Sequence, residues 1–157
     1  MRSNIKYITK LLGDHFNGNP WIDVTINGEL NSLTAKQAAA KTGNLNSIWE
    51  IVNHMISWRK ALIGRVKGKP VKYSDNNFIS KVKDKSPAAW KKIISKFRKS
   101  QNDIIGFLKK SDDQLLEIVS PTSGYTYYEL VMSILIHDSY HLGQIVLIKK
   151  ILIEKEK

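Results

Sequence analysis

The sequence predicts an all-α fold: a four-helix bundle with a long crossover between the second and third long helices. Three observations lead to it. Four stretches repeat apolar residues every three or four positions, as an amphipathic helix does. Three helix starts carry a capping box, at Thr34–Gln37, Ser47–Glu50 and Thr126–Glu129. Strand character is confined to Trp21–Ile26, which has no partner in the chain. Four apolar stripes must be buried on one another, and a bundle does this. A chain of 157 residues fits a single domain, 1–157, with room for a core.

The first long helix is expected from about Asn4 to His15, with Ile5, Ile8, Leu12 and either His15 or Phe16 on its apolar side. Asn17-Gly-Asn-Pro20 stops it with turn formers. A short helix follows at Ala35–Lys41, closed by Gly43 and Asn44. The second long helix starts at the Ser47 cap. Its apolar side is Ile48, Ile51, His54 with Met55, Trp58 and Leu62, and Gly64, Gly68 and Pro70 mark its end. Val71–Ser86 is polar and reads as the crossover. Ser86-Pro87 supplies an N-cap and a proline at the first helical position. The third helix then runs through Trp90, Ile94, Phe97, Ile104 and Leu108. Ser111–Gln114 opens a short turn or helix, and Pro121 and Gly124 break the chain. The fourth helix begins at Thr126 and reaches about Ile153, leaving a Glu-Lys-Glu-Lys tail expected to fray.

Composition narrows the chemistry. With no cysteine, a disulfide, a thiolate metal ligand and a cysteine nucleophile are excluded, so any metal must be held by nitrogen and oxygen. The N-terminal segment lacks a signal-peptide apolar run, and Lys149 and Lys150 interrupt the apolar Ile145–Ile153, so a cytoplasmic protein without a membrane partner is expected. The formal charge is +11, and between Arg59 and Lys110 basic residues far outnumber Asp75, Asp84 and Asp103. Such a face attracts polyanions. Because it is mostly lysine without an arginine cluster, a solvated surface is the first reading, and nucleic acid is not expected as a partner.

His137 and His141 lie four residues apart, about one turn, so both imidazoles share a side of the fourth helix with Leu130, Ile134, Ile145 and Ile148. Taken alone, such a pair also arises as two core histidines with local hydrogen bonds. His54, on the apolar side of the second helix, adds a third inward imidazole. Bundle cores recurrently hold metals on facing helices, and three histidines without a fourth ligand leave an open shell. Gln144 is either a pocket donor or a half-exposed helix residue. Trp58 is either pocket wall or core. His15 is a pocket, supporting or surface residue and stands outside the ligand set. Asp138 is expected to point about 100° away from His137, where it either faces a neighbouring helix or takes a catalytic role.

His137-Asp-Ser-Tyr-His141-Leu-Gly-Gln-Ile145 resembles the C-terminal signature of the DinB-like superfamily, which includes the YfiT-type metal-dependent hydrolases. Ser47-Ile-Trp-Glu-Ile-Val-Asn-His54-Met-Ile-Ser-Trp58 resembles its other signature. Phe16–Trp21 and Ser111–Leu116 are similar to further segments, in the same order. The resemblance implies a divalent metal, zinc or nickel, held by His54, His137 and His141. It also implies a low-molecular-weight thiol as a second cofactor, as in relatives that use mycothiol or bacillithiol, and a homodimer. The family name reflects DNA-damage induction of one member and does not imply DNA binding. The basic stretch from Arg59 to Lys110 is not part of the family pattern.

The leading expectation is a metal-dependent enzyme, a thiol-dependent transferase or a hydrolase, acting on a small-molecule substrate. The alternatives are a basic binding module and a stress-induced scaffold without catalysis.

Overall fold

The structure, a computed structural model, describes residues 4–72 and 74–155. The expected fraying of the C-terminal tail therefore falls, at Glu156 and Lys157, outside the described residues. The fold is all-α, with helices α1 (Asn4–Asn17), α2 (Ile26–Asn31), α3 (Ala35–Ala39), α4 (Ile48–Val66), α5 (Pro87–Lys109), α6 (Asp113–Glu117) and α7 (Tyr127–Lys155). The capping boxes at Thr34 and Ser47 form as expected. At Thr126 the backbone N–H donates to Glu129 Oε2 at 2.7 Å, and the Glu129 N–H returns to Thr126 Oγ1 at 3.2 Å.

The Trp21–Ile26 strand is absent. Pro20–Asp23 is a turn, with Asp23 at φ 58°, and Trp21 is 98% exposed. Thr25 then caps α2 by accepting from the Gly28 N–H, and Ile26 and Leu30, one turn apart, are both buried. Helix-capping chemistry at Thr25 and an i,i+4 apolar pair outweigh the local β-propensity. α4 passes through Gly64 to Val66 and stops only where Gly68 takes φ 69°.

Pairings along the helices fix their directions. Trp49 meets Trp90 (5.0 Å between rings) and Arg59 meets Gln101 (2.6 Å), so α4 and α5 run parallel. This is why about twenty residues must connect two neighbours. Phe16 meets Phe97 and Gln101 meets Leu12, so α1 opposes α5. His54 meets His141 while Leu62 shares a cavity with Leu130 and Ile134, so α7 opposes α4. Two helices thus run each way. α4 packs on both α5 and α7, and α1 closes the ring by packing on α5 and α7.

The apolar core is split. One cluster contains Ile48, Val52, Met55, Trp90, Phe97 and Ile145; the other contains Ile8, Leu12, Leu62, Ile104, Leu116 and Val131. Between them lies a buried polar layer of His15, His54, Arg59, Gln101, Asp138 and His141. α7 runs through both clusters. Its Tyr127–Glu154 stretch is long and apolar enough by composition to cross a membrane, despite Lys149 and Lys150; part of its apolar surface, including Leu142, Ile145 and Ile148, is buried in the bundle, while Ile136 and Leu147 are exposed.

Candidate metal centre

α4 and α7 bring the three predicted histidines together at the polar layer. The ring nitrogens of His54, His137 and His141 lie within 4.8 Å of one another. His137 Nε2 is 3.0 Å from His54 Nε2 and 3.1 Å from His141 Nε2. The other nitrogens face outward. His54 Nδ1 donates to the Asn77 carbonyl at 2.6 Å, and His141 Nδ1 donates to Gln144 Oε1 at 2.7 Å. A carbonyl oxygen only accepts, so both Nδ1 atoms carry the proton and both Nε2 atoms present lone pairs to the centre.

That donor set fits a metal. One N–H on His137 Nε2 cannot point along both short contacts, so lone pairs confront each other unless a cation sits among them. Metal–imidazole bonds of about 2.0–2.1 Å allow two ligand nitrogens to be at most roughly 4.2 Å apart, and 3.0 and 3.1 Å lie well inside that limit. Burial lowers the His54 pKa and takes His141 down to about 4, with the neighbouring imidazoles adding to both shifts. Both rings are therefore held neutral, the form that ligates.

The supporting residues are less evident from sequence. Asp138 has no solvent exposure, and its Oδ2 accepts from Arg59 Nε at 2.9 Å and Arg59 Nη2 at 2.6 Å. Burial opposes ionisation of Asp138, but the Arg59 guanidinium outweighs it and holds the carboxyl below its usual range. Asp138 Oδ1 lies 3.6 Å from His137 Nδ1, an ion-pair distance longer than a hydrogen bond. Arg59 Nη1 donates to Gln101 Oε1, and Gln101 donates to the Leu12 carbonyl, so the network reaches α5 and α1. Of the two readings of Asp138, the structure shows the one in which it faces a neighbouring helix, paired with Arg59 of α4. Arg59 was legible only as part of the basic excess. Its spacing from Met55 and Leu62 puts it on the buried side of α4, which is the signal that could have singled it out.

The crossover folds back over the centre. Besides the Asn77 carbonyl, it sets Phe78 edge-on against Trp58 at 5.5 Å, with Asn77 and Phe78 at φ 51° and 61°. A backbone acceptor leaves no side-chain signature, so this contact could not be read from sequence. A cavity of about 380 Å³ opens at the histidines, walled by Trp58, Asn77, Ile79, Tyr140 and Gln144. Trp58 is thus pocket wall, 6.0 Å from the His137 ring, and Gln144 faces the site. His15 does not join the three rings: it is buried in the same polar layer on α1, its Nε2 meets Ser139 Oγ at 3.0 Å, and burial lowers its pKa.

A family model described as the DinB superfamily matches residues 26–145, a span that holds all three histidines, Trp58, Asn77 and Gln144. No curated protein and no solved structure matches the chain significantly.

Proposed function

The chain belongs to the DinB superfamily, and from that premise we propose that it binds one divalent metal, zinc or nickel, at His54, His137 and His141 and works as a metal-dependent enzyme on a small molecule. One observation supports this above the rest: three Nε2 atoms converge while two of the opposite Nδ1 atoms are tied to acceptors. An ion held there supplies Lewis acidity, polarising a substrate oxygen or acidifying a water or thiol. The protein orients the His54 ring through Asn77 and the His141 ring through Gln144, and Trp58 and Tyr140 shape the adjoining cavity. Three protein donors leave room for a substrate. With no cysteine in the chain, a low-molecular-weight thiol would supply the nucleophile in a transferase, and water in a hydrolase.

The test is metal analysis of protein purified without a histidine tag. About one tightly held ion per chain is expected, lost on His54→Ala. Absence of metal, with no change in the variant, rejects the proposal. A screen of the loaded protein with several small thiols and electrophilic acceptors then separates a transferase from a hydrolase and from a scaffold without catalysis. A homodimer in the cytoplasm is part of the same proposal. Exposed Tyr128, Ile136, Tyr140 and Leu147 on one side of α7 support the dimer. Sedimentation should give twice the chain mass, and Ile136→Glu should give the monomer.

The charge distribution favours a second reading, a basic module for a polyanion. Sixteen Lys or Arg face three Asp between residues 59 and 110, a net +13 in a chain of +11. That reading requires DNA binding at low salt that weakens steeply as salt rises.

A further inference from the structure

A second cavity, about 330 Å³, lies on the other side of Trp58 and His137 from the one just described. The two share those residues. This cavity is floored by Leu62, Leu130 and Ile134 and also lined by Arg65. We propose that it is a substrate subsite for a small amphiphilic carboxylate, with the acid group on Arg65, the apolar body over Leu62 and Ile134, and the far end toward His137. The metal-facing end of this assignment rests on the proposed metal centre; the anchoring of the carboxylate does not.

Four observations support it. The cavity volume is at the lower end of the about 300–1,000 Å³ typical of ligand pockets, which limits the guest to a small molecule. Its lining is mostly apolar with one cationic residue, so the guest needs a greasy body and one acid. A guanidinium has five N–H donors in a fork that matches a carboxylate, so it accepts one while keeping another contact. Finally, Arg65 leads directly into the basic stretch containing Lys67, Lys69 and Lys72, whose field raises the local concentration of anions. Arg65 stands seven residues after Trp58 on the same helix, about 10 Å along its axis. That span is what a chain of several carbons bridges.

The test uses octanoate and octanol, a matched pair differing in the acid group, titrated calorimetrically into the full-length protein both metal-free and zinc-loaded. Octanoate should bind the metal-free protein at least about tenfold more tightly than octanol, the contribution of one charge-assisted pair. Arg65→Gln should abolish that preference while its metal content stays unchanged. Ser133→Trp, at an exposed position on the rim, should weaken both ligands by blocking the cavity. Equal binding of the two ligands, a preference that survives Arg65→Gln, or octanoate binding unaffected by Ser133→Trp overturns the proposal. Failure to load zinc rejects the metal centre and leaves the metal-free comparison to decide the carboxylate subsite.

Discussion

Asp138 and Arg59 are both withdrawn from water, and each is the other's main compensation. Such a pair contributes little net stability relative to an apolar pair, but removal of one member strands a charge. Asp138→Ala should therefore cost about 3–5 kcal/mol in a denaturant titration. The double variant Arg59→Met, Asp138→Leu should be much less damaged than the sum of the two single changes. The second residue-level effect concerns protons. His141 is brought down to about 4 in the folded protein, by burial first and by its imidazole neighbours next. Unfolded histidine titrates near 6.5, so between about pH 6.5 and 4 the unfolded chain binds more protons than the folded one. Stability of the metal-free protein must fall with pH through that window, and the downward shifts of His15 and His54 act in the same direction. Thermal melts at pH 7, 6 and 5 should show it, and His141→Gln should flatten the slope. A slope unchanged in that variant would mean His141 is not held neutral by the fold.

Elements differ in how far the sequence reveals them. The four long helices were legible because each has an apolar stripe, and two of their starts, at Ser47 and Thr126, were marked by capping boxes. Losing the Ser47 hydroxyl, which caps α4 ahead of His54, should cost about 1 kcal/mol in Ser47→Ala. The segment leading into α2, Trp21–Ile26, was read as strand character because it is rich in β-formers, and α2 itself was not anticipated, since the Thr25 cap and the Ile26–Leu30 pair were decided by burial against the bundle. The crossover was legible as a loop but not as part of the site, since it acts through a main-chain carbonyl. That makes a sharp prediction. Asn77 sits at φ 51°, where glycine is at ease and a β-branched residue is not. Asn77→Gly keeps the carbonyl and the turn, so metal affinity should stay within about twofold. Asn77→Val should displace the carbonyl from His54 and weaken metal binding by about tenfold, as loss of an outer hydrogen bond to a ligand histidine does. Competition with a chromophoric chelator measures both. If valine binds as glycine does, the Asn77 carbonyl does not orient His54.

At the scale of the molecule, the polar layer divides the core into two apolar clusters and α7 joins them. The sequence marked the three histidines but could not show that they lie where those clusters meet, because that depends on parallel α4 and α5 and on Arg59, Gln101 and Asp138 meeting across helices. The location has a thermodynamic consequence. An ion held by His54 and the α7 pair would link α4, α7 and, through Asn77, the crossover. Binding only to the folded state stabilises it by RT ln(1 + [metal]/Kd), about 2.7 kcal/mol when free metal is a hundred times Kd. Chelation should therefore lower the melting temperature, by about 5–10 °C if a domain of this size shifts about 2–4 °C per kcal/mol. The loss should not be spread evenly. Amide hydrogens around His54, Asn77–Ile79 and His137–His141 should exchange faster once metal is removed, whereas those of α1 and the α5 segment around Ile104, whose packing lies in the second cluster, should change only with global stability. Uniform acceleration along the chain would place the ion's effect on the bundle as a whole; no acceleration at Asn77–Ile79 would separate the crossover from the centre.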